Sequence, residues 1–91
     1  MTMKIETSSD GHTAVLRLIG RIESTYVDEL QAEVRRHRLP LVLDLDQVTL
    51  VDVLVVRFLI ACEAEGIELL HCAPYIQEWM TRERGRGESS P

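Results

Sequence analysis

Aromatic residues and glycine are scarce in this chain, which holds one Trp, one Phe, two Tyr and five Gly among its 91 residues. The apolar share of 45% therefore comes mainly from Leu, Val and Ile, and it predicts an aliphatic core. The five glycines form neither a phosphate-binding loop nor a dinucleotide fingerprint, so these two kinds of nucleotide site are excluded. At this length the chain is expected to form one small domain.

Cysteine is also sparse, and the two cysteines, Cys62 and Cys72, do not form a CxxC motif. Because no signal peptide is recognisable, we expect reduced thiols in a cytoplasmic protein. His71 stands next to Cys72, but adjacent residues on an extended chain point to opposite faces. No further ligands cluster near them, so we expect neither a metal nor a cofactor.

Long apolar runs are missing once Asp52 and Arg57 are counted, so no segment reaches the roughly 18 apolar residues of a membrane-spanning helix. Bases are outnumbered, 10 against 15 acids, and the net charge of -5 argues against binding to nucleic acid or to an anionic membrane. The exception is the basic run Arg35-Arg36-His37-Arg38. It falls where a helix should end, so we expect these cations to complement the helix dipole, with a phosphate-binding patch as the alternative.

The residues needed for catalysis are not grouped in the sequence. His12 falls in a predicted turn, His37 at a helix end and His71 at a strand end, and no Ser or Cys stands at a strand-to-helix elbow beside any of them. We therefore expect no catalytic residues and no enzyme activity.

The longest apolar stretch, Leu41 to Glu65, forms the centre of the predicted fold. Leu41–Leu45 is typical of a strand buried on both faces, and Asp52 is placed to cap a helix over Val53–Glu65 that ends at Gly66. The β-branched residues of this segment favour a strand, but thirteen unbroken residues suit a helix better.

The part of the chain before Leu41 predicts a hairpin and a helix. Lys4–Thr7 and Thr13–Ile19 read as two strands joined by a turn that contains Asp10-Gly11, after which Gly20–Glu23 leaves the sheet. Ser24 or Thr25 is expected to cap a helix that runs from Tyr26 to His37. Val27, Leu30 and Val34 form the inward stripe of that helix.

The part of the chain after Gly66 predicts a parallel strand over Ile67–His71 and a third helix from Tyr75 to about Glu83, with Pro74 in the first turn of that helix. Residues 84–91 are polar and glycine-rich, and we expect a disordered tail there, which leaves residues 1–83 as the domain. The expected fold is α/β, in the order ββαβαβα. Its mixed four-stranded sheet combines an N-terminal hairpin with parallel strands and carries three helices.

The pattern of an apolar strand, a polar break and an apolar helix resembles the STAS domain, the family of anti-sigma factor antagonists and sulphate-transporter tails. The family text is close to Asp-Leu-Ser-x-Val-x-Phe-Ile-Asp-Ser-Ser-Gly-Leu, and Asp44–Asp52 reads Asp-Leu-Asp-Gln-Val-Thr-Leu-Val-Asp. The match then breaks, because Val53, Leu54 and Val55 replace Ser-Ser-Gly, and the phosphate-accepting serine is absent. Gly20–Ile22, Gly66–Leu69 and Ala73–Ile76 extend the resemblance from about Leu16 to Met80.

The resemblance implies a non-catalytic protein-interaction module of bacterial signalling and transcription regulation, not controlled by serine phosphorylation. Asp52, Val53, Leu54 and Arg57 are then the candidate partner-binding residues. Asp52 is either a helix cap or part of a switch, and Val53 and Leu54 are either packing surface or the centre of a constitutive contact with Arg57 at its rim. Two other functions stay open: an accessory STAS subunit of an ABC-type lipid transport system, and a small-molecule binder near Asp52.

The chain also lacks the last strand and helix that STAS domains usually have, so we expect uncovered apolar surface and a homodimer. Tyr75, Trp79 and Met80 are the candidate interface, since large aromatic residues often anchor such contacts. The alternative is that Trp79 packs onto the sheet of its own chain.

Incubation with an anti-sigma-type serine kinase and labelled ATP should leave the start of the second helix unlabelled. Valine has no hydroxyl to modify, and Val53 occupies the acceptor position. Peptide mapping by mass spectrometry checks this result. Label on Asp52 or Thr49 would show that the switch has moved to another residue and has not been lost.

Overall fold

The computed structural model describes residues 3–37 and 40–88, and its elements confirm the predicted order ββαβαβα. A short 3-10 helix, Ser24–Tyr26, precedes the first α-helix. The strands and helices are β1 Lys4–Ser9, β2 Ala14–Ile22, α1 Val27–Arg36, β3 Leu41–Val51, α2 Val53–Ala64, β4 Glu68–Leu70 and α3 Pro74–Glu88.

The four strands form one mixed sheet in the order β1-β2-β3-β4. The first pair is antiparallel, and the other two pairs are parallel, so the predicted hairpin and parallel strands are confirmed. The hairpin turn is held by Asp10, whose side chain accepts hydrogen bonds from the amides of His12 and Thr13, each at 2.9 Å. Gly11 in this turn has φ +89°, a conformation that glycine adopts at little cost.

The strands β2 and β3 are both longer than the sequence predicts. Gly20, Arg21 and Ile22 do not leave the sheet but stay paired with β3, whose last residue is Val51. The register between β2 and β3 shifts twice, between Arg17 and Ile19 and between Gly20 and Arg21, each time with one extra residue on β3. Gly20 has φ +95° in this irregular stretch. The extension is favourable because the paired residues Ile22 and Val51 are both buried.

The hydrophobic core lies on one face of the sheet only. All three α-helices contribute to it, and the strand residues that face it alternate along β2, as Ala14, Leu16 and Leu18 show. The buried core residues are Ala14, Leu16, Leu18, Ile22, Leu30, Leu41, Leu43, Leu45, Val51, Val55, Val56, Phe58, Leu59, Cys62, Ile76 and Met80.

The helical prediction for the segment after Asp52 is confirmed. Five of the twelve residues of α2 are buried, so tertiary packing outweighs the strand preference of its β-branched residues. The helix ends as predicted at Gly66, whose φ of +90° suits glycine and whose amide donates to the Glu63 carbonyl at 3.0 Å.

Helix α3 extends further than the sequence predicts. Pro74 occupies its first turn as expected, but the helix continues to Glu88 and does not end near Glu83. An ion pair between Arg84 and Glu63 ties the added turn to α2, a tertiary contact that sequence composition does not reveal. Residues 89–91 and Arg38 lie outside the described residues, and the division of the chain at residue 83 stays a prediction.

The opposite face of the sheet carries a row of charged residues. Arg17 and Asp44 are register partners on β2 and β3, with Arg17 Nε 3.5 Å from Asp44 Oδ2. His71 Nδ1 lies 3.1 Å from Asp44 Oδ1, and the Asp46 amide donates to the same oxygen at 3.0 Å. His71 has φ +57°, an uncommon conformation for a residue other than glycine.

The environment of Asp44 has opposing effects on its acidity. Burial raises the pKa of Asp44. The hydrogen bond from the Asp46 amide and the nearby His71 and Arg17 together lower this pKa by more, so the net pKa is below its usual value. A lowered pKa in the folded state means that this carboxylate stabilises the fold at pH values above the ordinary aspartate pKa. That contribution is lost as the pH falls through the folded-state pKa.

Asp44→Asn should therefore destabilise the fold by about 1–2 kcal/mol at pH 7, because it removes the ion pair with Arg17 and one acceptor oxygen. Urea unfolding between pH 7 and pH 3 measures the difference from the wild type, which should shrink below about pH 4. Asp46→Asn, at an exposed position on the same strand, is the matched control and should change little. A difference for Asp44→Asn that stays constant down to pH 3 would contradict this account.

Candidate protein-binding surface

The carboxylate of Asp52 holds two separate parts of the backbone at the start of α2. Its Oδ1 accepts from the Val55 amide at 3.2 Å, which confirms the predicted N-cap. Its Oδ2 accepts from the Ser24 amide at 2.7 Å. One side chain therefore caps α2 and also fixes the loop that follows β2.

The predicted cap of α1 is wrong. Neither Ser24 nor Thr25 caps that helix, since its N-cap residue is Tyr26 and no side chain bonds to the cap position. Ser24 instead begins the 3-10 helix, and its amide is satisfied by Asp52. The bond partner lies 28 residues away in the chain, so local sequence motifs could not identify it.

The two hydrogen bonds also set the acidity of Asp52. Partial burial raises the pKa of Asp52, but the bonds from Ser24 and Val55 lower it by more, so the net pKa lies below its usual value. Asp52 is thus ionised at neutral pH. Its charge is placed at the helix N-terminus, where the dipole favours it.

An exposed apolar cluster surrounds this cap. Leu50 and Leu54 are each 47% exposed and Val53 is 37% exposed. The side chain of Tyr75, also 47% exposed, reaches this region from α3, and its hydroxyl donates to the Thr49 carbonyl at 3.4 Å. We call Leu50, Val53, Leu54 and Tyr75 the α2 entry patch.

Two arginines lie near the α2 entry patch. Arg57, one turn beyond Val53 on α2, keeps an exposed side chain and pairs with Glu83 at 3.2 Å. Arg21 is exposed and is the register partner of Leu50 on β2. The geometry is that of an apolar centre with a polar rim.

The structure separates the three residues predicted for a dimer interface. Met80 is only 2% exposed and belongs to the core, so it is withdrawn from that set. The physical reason is helix periodicity, because Met80 lies one turn beyond the buried Ile76 on the same inward face. Trp79 is half-buried against the core, and only Tyr75 is well exposed.

The sequence also missed Leu50 and Arg21 as members of this surface. Both lie on strand extensions that were predicted to be loops. The structure shows that β3 continues to Val51, whose side chain is buried, while that of its neighbour Leu50 is exposed. A strand assigned as far as Val51 would have placed these two side chains on opposite faces and so predicted that Leu50 is exposed.

The cysteines are held in their neutral form. Burial, helped by the charge of Glu65, raises the pKa of the Cys62 thiol to about 12. Burial and then Glu63 raise the pKa of Cys72 as well. Because the thiolate is the reactive form, neither residue is an activated nucleophile at neutral pH.

Two surface cavities lie apart from Asp52. One of about 250 Å³ lies between β4, α2 and α3 and is lined by residues that include Leu69, Cys72 and Met80. Another of about 280 Å³ lies beside Tyr75 and Trp79 on α3. Within residues 3–37 and 40–88, no group of three His, Cys, Asp or Glu side chains is arranged to hold a metal ion.

The fold is that of a STAS domain, as solved structures show. The antisigma-factor antagonist STAS domain from Rhodobacter sphaeroides matches with a TM-score of 0.57 and 22% identity, over 75% of this chain and 83% of that one. The unphosphorylated anti-sigma factor antagonist SpoIIAA matches with a TM-score of 0.63 and 17% identity, over 85% of this chain and 79% of that one. No known family model matches the sequence, and no curated protein sequence matches it.

None of the helices in the described part of the chain is both long enough and apolar enough to cross a bilayer. This agrees with the sequence, in which charged residues interrupt the apolar stretch around α2.

Asp52→Ala should lower the free energy of unfolding by about 2 kcal/mol, because it removes both the helix cap and the acceptor for Ser24. Asp52→Ser is the informative comparison. A serine hydroxyl can cap Val55 but cannot also accept from Ser24, so about half of the loss should return. Thermal unfolding followed by circular dichroism measures both variants. Full recovery in Asp52→Ser would show that the bond to Ser24 contributes nothing, and equal losses in the two variants would show the same of the cap on Val55.

Proposed function

We propose that this chain is a non-catalytic protein-interaction module that docks a partner protein on the α2 entry patch. The observation that carries the proposal is the exposure of Leu50, Val53 and Leu54 at a helix start that Asp52 fixes. Apolar side chains on a rigid element bind without a large ordering cost, since their geometry is set before the partner arrives.

The absence of a hydroxyl at Val53 and Leu54 supports a contact that is not regulated by phosphorylation at this point. A phosphate would place about two negative charges in the middle of the patch. With Val53 there instead, the surface stays apolar at all times. Asp52 is then a structural residue, because both of its oxygens are already engaged by backbone amides.

The likeness to two anti-sigma factor antagonists supports placing the chain in signalling or transcription regulation in the cytoplasm. Arg57 sits at the rim of the α2 entry patch, where a charge affects the rate and selectivity of association more than its strength.

We also propose that the chain forms a homodimer. Trp79 is half-buried within its own chain and Met80 is in the core, so α3 offers little interface beyond Tyr75.

Leu54→Asp should weaken binding of the partner by at least about thirtyfold, because it places a charge in the desolvated centre of the contact. Proteins encoded beside this chain in its genome are titrated against it by isothermal calorimetry. An anti-sigma factor that binds would place the chain in transcription regulation, whereas a transporter subunit would place it in lipid transport.

Ala61→Asp introduces the same charge at an exposed position two turns further along α2 and should leave binding within about twofold. Circular dichroism of both variants checks that the fold is kept. A complex whose affinity is unchanged by Leu54→Asp would contradict the proposed surface.

A further inference from the structure

The face of the sheet opposite the core is not covered by any element in the described part of the chain. Val15, Ile19, Val42 and Leu70 are half-buried on this face and are not among the apolar residues that pack against the core. Three of the four strands pair in parallel, and parallel sheets are normally covered on both faces. This open sheet face therefore has the composition of a surface that is buried in an assembly.

The charges on the open sheet face alternate in sign from one strand to the next. Glu6, Arg17 and Asp44 are consecutive register partners on β1, β2 and β3, and His71 follows β4 on the far side of Asp44. The row thus reads acid, base, acid, and then an imidazole that is cationic when protonated. Asp44 is the one buried charged residue among those that the structure describes.

A row that alternates in this way is complementary to itself. A twofold axis parallel to the strands, between β2 and β3, brings β2 of one copy over β3 of the other. Arg17 then faces the partner copy's Asp44, and Glu6 faces the partner copy's His71. The register partners Val15 and Val42 oppose each other in the neighbouring row. Within the row of Arg17 and Asp44 each charge then meets an opposite one, which reduces the penalty of burying it. Glu68, the register partner of Val42, lies on β4 at the edge of the face, opposite the partner copy's Ser8.

We propose that the open sheet face is the homodimer interface, with a second copy of this chain packed sheet against sheet. Two sheets packed in this way lie about 10 Å apart, within reach of an arginine and an aspartate side chain together. The two copies join through Arg17 and Asp44 in a ring of four alternating charges. The α2 entry patch stays free on each copy to bind another protein.

The size of the face sets the expected strength of the dimer. Four strands about 4.8 Å apart, each about seven residues long, give a face on the order of 400 Å² per copy. The total of about 800 Å² is below the roughly 1,200 Å² of a stable interface, so the dimer should be weak and reversible. We expect a dissociation constant on the order of 100 µM.

Sedimentation equilibrium from about 10 µM to 1 mM tests the interface with a matched pair of variants. Val15→Glu puts an acid against the partner copy's Val42 and should leave only monomer up to about 1 mM. Val53→Glu makes the same change on the α2 entry patch and should leave the dimer unchanged. A wild type that is monomeric at all concentrations would overturn the proposal, as would a dimer lost in Val53→Glu and kept in Val15→Glu.

A second pair tests the charge complementarity and does not depend on the fold tolerating Val15→Glu. Arg17→Gln keeps a hydrogen-bond donor beside Asp44 but removes the charge, and it should weaken the dimer about tenfold. Arg35→Gln, at an exposed position on α1, makes the same change in net charge and should have no effect. Equal weakening by both variants would show a general effect of net charge and would overturn the assignment of the interface. The test is separate from that of the α2 entry patch, so either surface can fail alone.

Discussion

The two hydrogen bonds of Asp52 are the interaction on which the geometry of the α2 entry patch depends. The carboxylate connects the end of β2, through Ser24, to the start of α2, through Val55. The pairing of β2 with β3 ends at Ile22 and Val51, and the Asp52 carboxylate extends the polar connection beyond it, to the loop and to the helix start. The orientation of Val53 and Leu54 toward solvent follows from the cap, because a capped helix must begin at a defined residue.

The same end of the sheet shows how charge is distributed at the start of α2. In a phosphorylated site, the helix N-terminus attracts the added negative charge. Here Asp52 already supplies a permanent negative charge at that terminus and engages both oxygens in doing so. The family pattern has an aspartate at this position as well, so the proposed loss of the switch rests on Val53, which has no hydroxyl, and not on Asp52.

The sequence predicted those features that depend on local pattern. The length of the apolar segment after Asp52 identified α2 despite its β-branched residues, and the φ of Gly66 explains why that helix ends where it does. Three of the features that it missed depend on partners distant in the chain. The last residues of β2 are held by pairing with β3, and the Ser24 amide donates to the Asp52 side chain. The last turn of α3 is held to α2 by the ion pair of Arg84 with Glu63. Met80 was misplaced for a different reason: aromatic neighbours made α3 look like an interface, whereas its spacing from Ile76 pointed to the core.

The parallel pairing of the central strands has a consequence for how this chain folds. The hairpin of β1 and β2 needs only a tight turn, and such hairpins form within microseconds. β3 can pair with β2 only after the chain has passed through the whole of α1, and β4 can pair with β3 only after α2. Each of these steps closes a long loop before any contact across it is gained. The hairpin is therefore the local, low-cost part of the sheet, and the parallel pairings are its slow, non-local part.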